Sequence, residues 1–216
     1  IPVAISAGAS WSTIAVGSSH TIAVRSDGTL WAWGANNNGQ LGDGTSVAKK
    51  SPVQIGTSAD WHSVAAGYEF SVALKTDGTL WAWGWNNNSQ LGDGTTTSKL
   101  SPVQVGADTD WKLIATGFYH VLAIKTDGSL WAWGQNVYNQ IGDGTSITRR
   151  SPVKIGTDTD WQSITAGAIH SVALKTGGTM WAWGENGDSR LGDGTNVKRS
   201  SPVQIGAFNW RFVSAG

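Results

Sequence analysis

The sequence repeats every 50 residues without slippage, and no other feature restricts the possible folds as strongly. TLWAWG at 29 and 79 returns as SLWAWG at 129 and TMWAWG at 179, and LGDGT at 41 and 91 returns as IGDGT at 141 and LGDGT at 191. SPV stands at 51, 101, 151 and 201, with IPV in its place at the start. Trp11, Trp61, Trp111 and Trp161 keep the same spacing, and Trp210 follows after a one-residue deletion. A period of this size marks stacked supersecondary units, each burying its apolar face against the next. The chain therefore reads as one repeat domain, 1–216, with units 1–50, 51–100, 101–150 and 151–200 and a partial fifth unit, 201–216.

Each unit contains four strand-like runs. SPVQIG is short, β-branched and carries a Pro, which suits an edge strand. WHSVAAG ends in small residues, as the crowded innermost strand of a radial array requires. FSVALKTDGTLWAWG is two alternating runs joined through Asp-Gly, a strong hairpin signal. In WAW the two rings share one face of a strand and Ala takes the other, so sheets can stack ring against methyl. With 29 Gly, 14 Trp and one Met, the composition favours strands and turns, and no window carries a useful helical period. The expectation is an all-β chain, a β-propeller of ~50-residue four-stranded blades. About four blades are present, which reads as a partial propeller, a fragment or one completed by other copies. IPVAIS reads as the last strand of a blade before the first, and RFVSAG as the first strand of a blade after the fourth.

One such unit, AAGYEFSVALKTDGTLWAWGWNNNSQLGDGTTTSKLSPVQV from Ala65 to Val105, resembles the repeat of the regulator of chromosome condensation family. The resemblance covers the whole chain. It implies a β-propeller, usually of seven blades. The family's namesake is a eukaryotic nucleotide exchange factor for a small GTPase that also binds chromatin, and bacterial members include a secreted β-lactamase inhibitor and other extracellular proteins. This chain departs from that pattern with about four units and no insertion in any of them, which argues against exchange activity.

Composition excludes several function classes. Formal net charge is zero, whereas non-specific nucleic-acid binding draws on a basic excess, so no nucleic-acid partner is expected. No apolar run approaches the ~20 residues of a membrane helix, so no membrane insertion is expected. Cysteine is absent, which removes disulfides and thiolate ligands. The chain opens at Ile1 without a leader pattern, which reads as a processed chain or a fragment. His20, His120 and His170 share one repeat position with Phe70; a site that tolerates an apolar ring reads as packing rather than metal binding. The GDG aspartates (Asp43, Asp93, Asp143, Asp193) lack the further acids of a calcium loop and read as caps of their own turns. Asn87-Asn88-Ser89 is a glycosylation triplet. No nucleophile–base pair, carboxylate pair or phosphate-cradling loop is present, so no enzyme activity, cofactor or metal is expected.

In a repeat protein the units differ where function lies. The loops after AAG and the long NNN…SP loops fall on one rim, and the KTDG turns fall on the other. The first rim is nearly neutral and the second mildly acidic. On the first rim, Tyr68, Trp85, Phe118, Tyr119 and Tyr138 are aromatics without a counterpart in every unit. They are the candidate binding residues, since exposed aromatics dominate protein interface hot spots. The reading is a non-catalytic scaffold for a protein partner or for other copies of itself, in a homo-oligomer or fibre. A bacterial, secreted or cell-surface location goes with it. A lectin-like glycan-binding propeller using Trp85 is the alternative, and nucleotide exchange the third reading.

Overall fold

A computed structural model describes residues 10–216, so the expected strand in IPVAIS lies outside the described residues. Among the described residues, sixteen strands form four antiparallel sheets, one per unit and each in chain order. The first blade holds β1 (Trp11–Val16), β2 (His20–Arg25), β3 (Leu30–Gly34) and β4 (Lys49–Gln54). The second holds β5 (Trp61–Ala66), β6 (Phe70–Lys75), β7 (Leu80–Gly84) and β8 (Lys99–Gln104). The third holds β9 (Trp111–Thr116), β10 (His120–Lys125), β11 (Leu130–Gly134) and β12 (Arg149–Lys154). The fourth holds β13 (Trp161–Ala166), β14 (His170–Lys175), β15 (Met180–Gly184) and β16 (Arg199–Gln204).

Local chemistry fixes the strand order. The Asp-Gly hairpin closes with the Arg25 amide donating to Thr29 O at 2.9 Å, and Gly28 takes φ +81°, a conformation that suits glycine. The proline strand is outermost in every sheet. Its ladder slips between the pairs Ala32↔Val53 and Gly34↔Lys49, so Pro52 falls in an irregular stretch, where a missing N–H breaks no regular pairing. Innermost runs the small-residue strand. A Cβ on Gly17 would lie 2.3 Å from the His20 ring and 2.5 Å from Gly67 O of the next blade. The strands converge that closely, and a larger residue would force them apart.

The core lies between the sheets rather than within any one of them. At the first junction Ile22, Val24, Leu30, Ala32, Leu41 and Ile55 of one blade meet Trp61, Val64, Ala73 and Trp83 of the next. The second and third junctions repeat this with their own residues. Ala32 thus packs towards the following blade while Trp81 and Trp83 face backwards, as strand alternation requires. Trp83, Trp133 and Trp183 are fully buried. Each indole N–H donates to a carbonyl of the preceding blade, Gln40 O at 2.9 Å, Gln90 O at 3.1 Å and Gln140 O at 2.9 Å. A buried Trp removes about 200 Å² from water, so each contributes up to roughly 5 kcal/mol at ~25 cal/mol/Å².

Among the described residues the sheets do not close into a ring. The fourth blade ends in a small cluster of Ala182, Leu191 and Ile205 with Val172, Met180 and Val203 beside it. Residues 205–216 contain no strand, yet the tail follows the inner-strand path. The Trp210 amide donates to Gly178 O at 2.8 Å, as Trp61, Trp111 and Trp161 do to Gly28, Gly78 and Gly128. RFVSAG, expected as a first strand, therefore follows the inner-strand path without forming a strand.

Candidate functional site

The two rims differ in how much of their chemistry is already used. On the KTDG rim, charge is consumed internally. Lys125 Nζ lies 2.7 Å from Asp108 and 3.0 Å from Asp110, and it stands over the rings of Trp111 and Trp131 at 4.7 and 4.6 Å. Burial pulls the Lys125 pKa down, but the two aspartates outweigh it and the net shift is upward. Lys175 repeats this with Asp158 and Asp160, and Lys75 pairs with Asp60. Each of these lysines is thus held between the aspartates of its own rim and a pair of tryptophan faces, while the rim keeps the acidic excess read from sequence.

The GDG aspartates are likewise occupied. Asp43 Oδ1 accepts from the Thr45 amide at 3.0 Å, the Thr45 hydroxyl at 2.7 Å and Asn36 Nδ2 at 3.0 Å, and Oδ2 pairs with Lys49 at 2.9 Å. Burial raises its pKa, and Lys49, Thr45 and Asn36 together bring it down to about 2. Asp93, Asp143 and Asp193 repeat the arrangement. These carboxylates close their own loops.

The histidines tie blades together. His20 Nε2 lies 3.0 Å from Ser71 Oγ of the next blade, and that hydroxyl donates to Gln40 O at 2.7 Å. With its hydrogen committed, Ser71 accepts, so Nε2 carries the proton and Nδ1 is the bare nitrogen. His120 and Ser171 repeat the pair at 3.0 Å, with Ser171 donating to Gln140 O. At the second junction Phe70 and Val121 pack in the same cluster. Where one blade offers imidazole, the next offers hydroxyl; where it offers phenyl, the next offers an aliphatic side chain. His62 is exposed.

What remains unused lies on the opposite rim. Tyr68 and Glu69 are in the β5–β6 loop, Phe118 and Tyr119 in the β9–β10 loop, and Trp85 follows β7. The two equivalent loops carry aromatics on adjacent blades, so the stacking brings four rings together. Tyr68 stands 5.5 Å from both Phe118 and Tyr119, Trp85 stands 5.2 Å from Tyr119, and Phe118 stands 6.2 Å from Tyr119. Most of these pairs are edge-to-face, the geometry ring quadrupoles favour. The Tyr68 amide donates to Phe118 O at 3.2 Å and the Trp85 amide to Glu69 O at 2.9 Å, which fixes the loops under the rings. Phe118 is 46% exposed, so the cluster is anchored below and open above. Tyr138 is not among these ring contacts; its amide donates to Gln140 Oε1 at 2.9 Å within its own loop.

Two features at this place have no clear signal in the sequence. Glu69 is held by Asn38 of the first blade, Nδ2 to Oε2 at 2.7 Å, so a carboxylate is fixed beside the rings. Burial, then Tyr68, then Glu69 raise the Tyr119 pKa. The cluster also borders a central funnel of ≈ 330 Å³, lined by the glycines of the inner strands with Tyr68 and Phe118 among its walls. Variability between units could flag the aromatics one by one, but only the blade stacking places them together at this mouth. Among the described residues no group of three or more His, Asp or Glu is arranged to hold a metal ion, and no helix is long and apolar enough to cross a membrane.

A family model described as the RCC1-like domain matches residues 2–216. No curated protein matches the chain. Among solved structures, Prp20p from Saccharomyces cerevisiae, described with its binding properties to Gsp1p and histones, superposes with a TM-score of 0.89 at 23% identity, over 99% of this chain and 56% of that one. Human WBSCR16 superposes at 0.87 with 22% identity, over 99% of this chain and 57% of that one. Yeast RCC1 (Prp20) in complex with Kap60 superposes at 0.83 with 23% identity, over 96% and 50%. The chain thus spans little more than half the length of these proteins.

Proposed function

The chain belongs to the RCC1-like domain family, and from that premise we propose that it is a non-catalytic scaffold that docks a protein partner on its aromatic rim. The observation that carries this reading is the four-ring cluster of Tyr68, Trp85, Phe118 and Tyr119, contributed by two blades and open to solvent beside the central funnel. Such anchors fit interface hot spots, where a few rigid aromatics supply most of the binding energy. The description of Prp20p by its binding to another protein and to histones adds that a propeller of this kind can serve as a docking platform. The secreted or cell-surface placement rests on the resemblance to bacterial extracellular members and is tested by fractionating the source cells.

The experiment is affinity capture on the immobilised chain beside a glycan array. Trp85→Ala and Phe118→Ala are compared with His62→Ala on the far rim. A protein retained by the parent chain and by His62→Ala, and lost from both rim variants, carries the proposal. Glycan binding lost in Trp85→Ala without any protein partner replaces it with a lectin. Faster nucleotide release from a small GTPase replaces it with exchange activity. Partners indifferent to the rim variants sink it.

A further inference from the structure

Glu69 is the acid of the first rim whose charge the fold leaves open. Asp43, Asp93, Asp143 and Asp193 are paired with Lys49, Lys99, Arg149 and Arg199, and Asp188 is paired with Arg190. Glu185 turns its Oε1 onto the amides of Asn186 and Gly187 in its own loop, at 3.2 and 2.9 Å. Among the described residues the Glu69 carboxylate has neither a cation nor a backbone donor. It accepts from Asn38 Nδ2 on the preceding blade at 2.7 Å, which holds Oε2 in place and leaves Oε1 free.

That charge is fixed beside the aromatic rings. Glu69 follows Tyr68 in the chain, and its carbonyl accepts from the Trp85 amide at 2.9 Å. Its carboxylate, after burial and Tyr68, adds to the upward shift of the Tyr119 pKa. The equivalent position holds Ser19, Tyr119 and Ile169 in the other units, so the carboxylate occurs only in the loop that gives Tyr68 to the cluster. A protein docked on these rings strips water from Glu69, and an anion that loses its water without a counter-charge opposes binding. The partner must therefore bring a positive group to this point. Ring faces carry negative charge and attract the same group. Of the two common side-chain cations, guanidinium fits better than ammonium. It is planar and more weakly hydrated, it stacks on aromatic faces, and it meets a carboxylate through two parallel N–H donors.

We propose that the rim cluster receives an arginine side chain of the docked protein, its guanidinium paired with Glu69 and lying against the rings of Tyr68, Trp85 and Tyr119. The inference rests on the docking reading of this rim and names the chemistry its partner must carry. Asn38 is then a positioning residue. It holds the Glu69 side chain in one place before the partner arrives, which lowers the ordering cost of binding. The rings supply the other requirement. They keep water from the ion pair once it forms, and a pair in lower dielectric is stronger than one in the open.

A random heptapeptide phage library panned on the immobilised full chain tests this. Rim peptides are those retained by the parent chain and lost with Trp85→Ala, and arginine is enriched among them. In a synthetic rim peptide, replacing that arginine by citrulline keeps the shape, removes the charge and weakens binding by about tenfold; lysine in its place weakens binding by about threefold. Glu69→Gln, which still accepts from Asn38, weakens the arginine peptide by about tenfold and leaves the citrulline peptide unchanged. Asn38→Ala weakens the arginine peptide by about threefold in the parent chain and has no effect in Glu69→Gln. Rim peptides without enriched arginine overturn the inference while docking on the rim stands. So do a citrulline or lysine peptide that binds like its parent, a Glu69→Gln chain that binds like the parent chain, or an Asn38→Ala effect that persists in Glu69→Gln. Retained peptides that are all indifferent to Trp85→Ala sink the docking reading and the arginine with it, and a library from which nothing is retained overturns the arginine as well.

Discussion

Lowering the pH from 7.5 to 5 should weaken this fold through two buried imidazoles. His20 is 2% exposed and His120 fully buried, and both are held neutral. Burial brings the His20 pKa from 6.5 to about 4, partly offset by the backbone of Phe70, and burial, with a smaller push from His170, brings that of His120 to about 3. A proton must be taken up at Nδ1, which in both rings is buried without a hydrogen-bond partner. The unfolded chain binds these protons from about pH 6.5 downwards and the folded chain does not, so stability is complete above 6.5 and falls as the pH approaches 4 and then 3. At pH 5 the deficit is about 2 kcal/mol per histidine, from roughly 1.5 pH units at 1.36 kcal/mol each. The two together remove about 4 kcal/mol, a large share of the ~5–15 kcal/mol typical of a domain. Burial of His170, with Arg190 adding to it, acts in the same direction. The aspartates with lowered pKa values contribute only nearer pH 4 and below, so the window above 5 isolates the histidines. Urea unfolding followed by tryptophan fluorescence at pH 7.5 and 5.0 measures the difference. His20→Phe/Ser71→Val, which installs the Phe70–Val121 pairing at the first junction, should remove about half of it. An unfolding midpoint unchanged between the two pH values would refute the reasoning, and so would a double variant that retains the full pH dependence.

Three further outcomes follow from the junction geometry. Gly142→Ala and Gly192→Ala both place a methyl at positive φ, +85° and +71°, but only the first drives it into Trp183; thermal melts should show Gly142→Ala less stable by about 1–3 kcal/mol beyond the strain common to both. Trp83→Phe keeps an aromatic ring but leaves Gln40 O with one donor fewer in a dry junction, and should cost about 1–3 kcal/mol in urea titration. Trp85→Ala removes one edge-to-face contact on a solvent-facing rim, so it should shift stability by only about 1 kcal/mol while abolishing partner capture.

Much of the architecture was legible because the repeat states it four times. The hairpin was announced by Asp-Gly, the outer strand by its proline and the inner strand by its small residues, each for a reason confined to a few neighbouring residues. The WAW alternation gave the facing of the blades, since a strand has only two sides. The candidate site was legible as aromatics of one rim, but not as rings in contact. Tyr68 lies 50 and 51 residues from Phe118 and Tyr119 in an equivalent loop, and their contact depends on the spacing of stacked sheets. Tyr138 looked the same in sequence, yet its loop holds it away from the cluster. The acidic rim was read from formal charges that counted Lys75, Lys125 and Lys175; the structure adds which acids they meet, Asp60, Asp108, Asp110, Asp158 and Asp160, and that they stand over tryptophan rings.

The sequence by itself determined the blade: its strands, their order and which side each ring faces, because these depend on local backbone preference and a period of two. Only the tertiary structure decided how blades meet. It showed that His20 answers Ser71 and Phe70 answers Val121, and that four aromatics converge on one rim. Those facts arise between units, where residues 31 to 51 positions apart are brought within a hydrogen bond, and no local rule spans that separation.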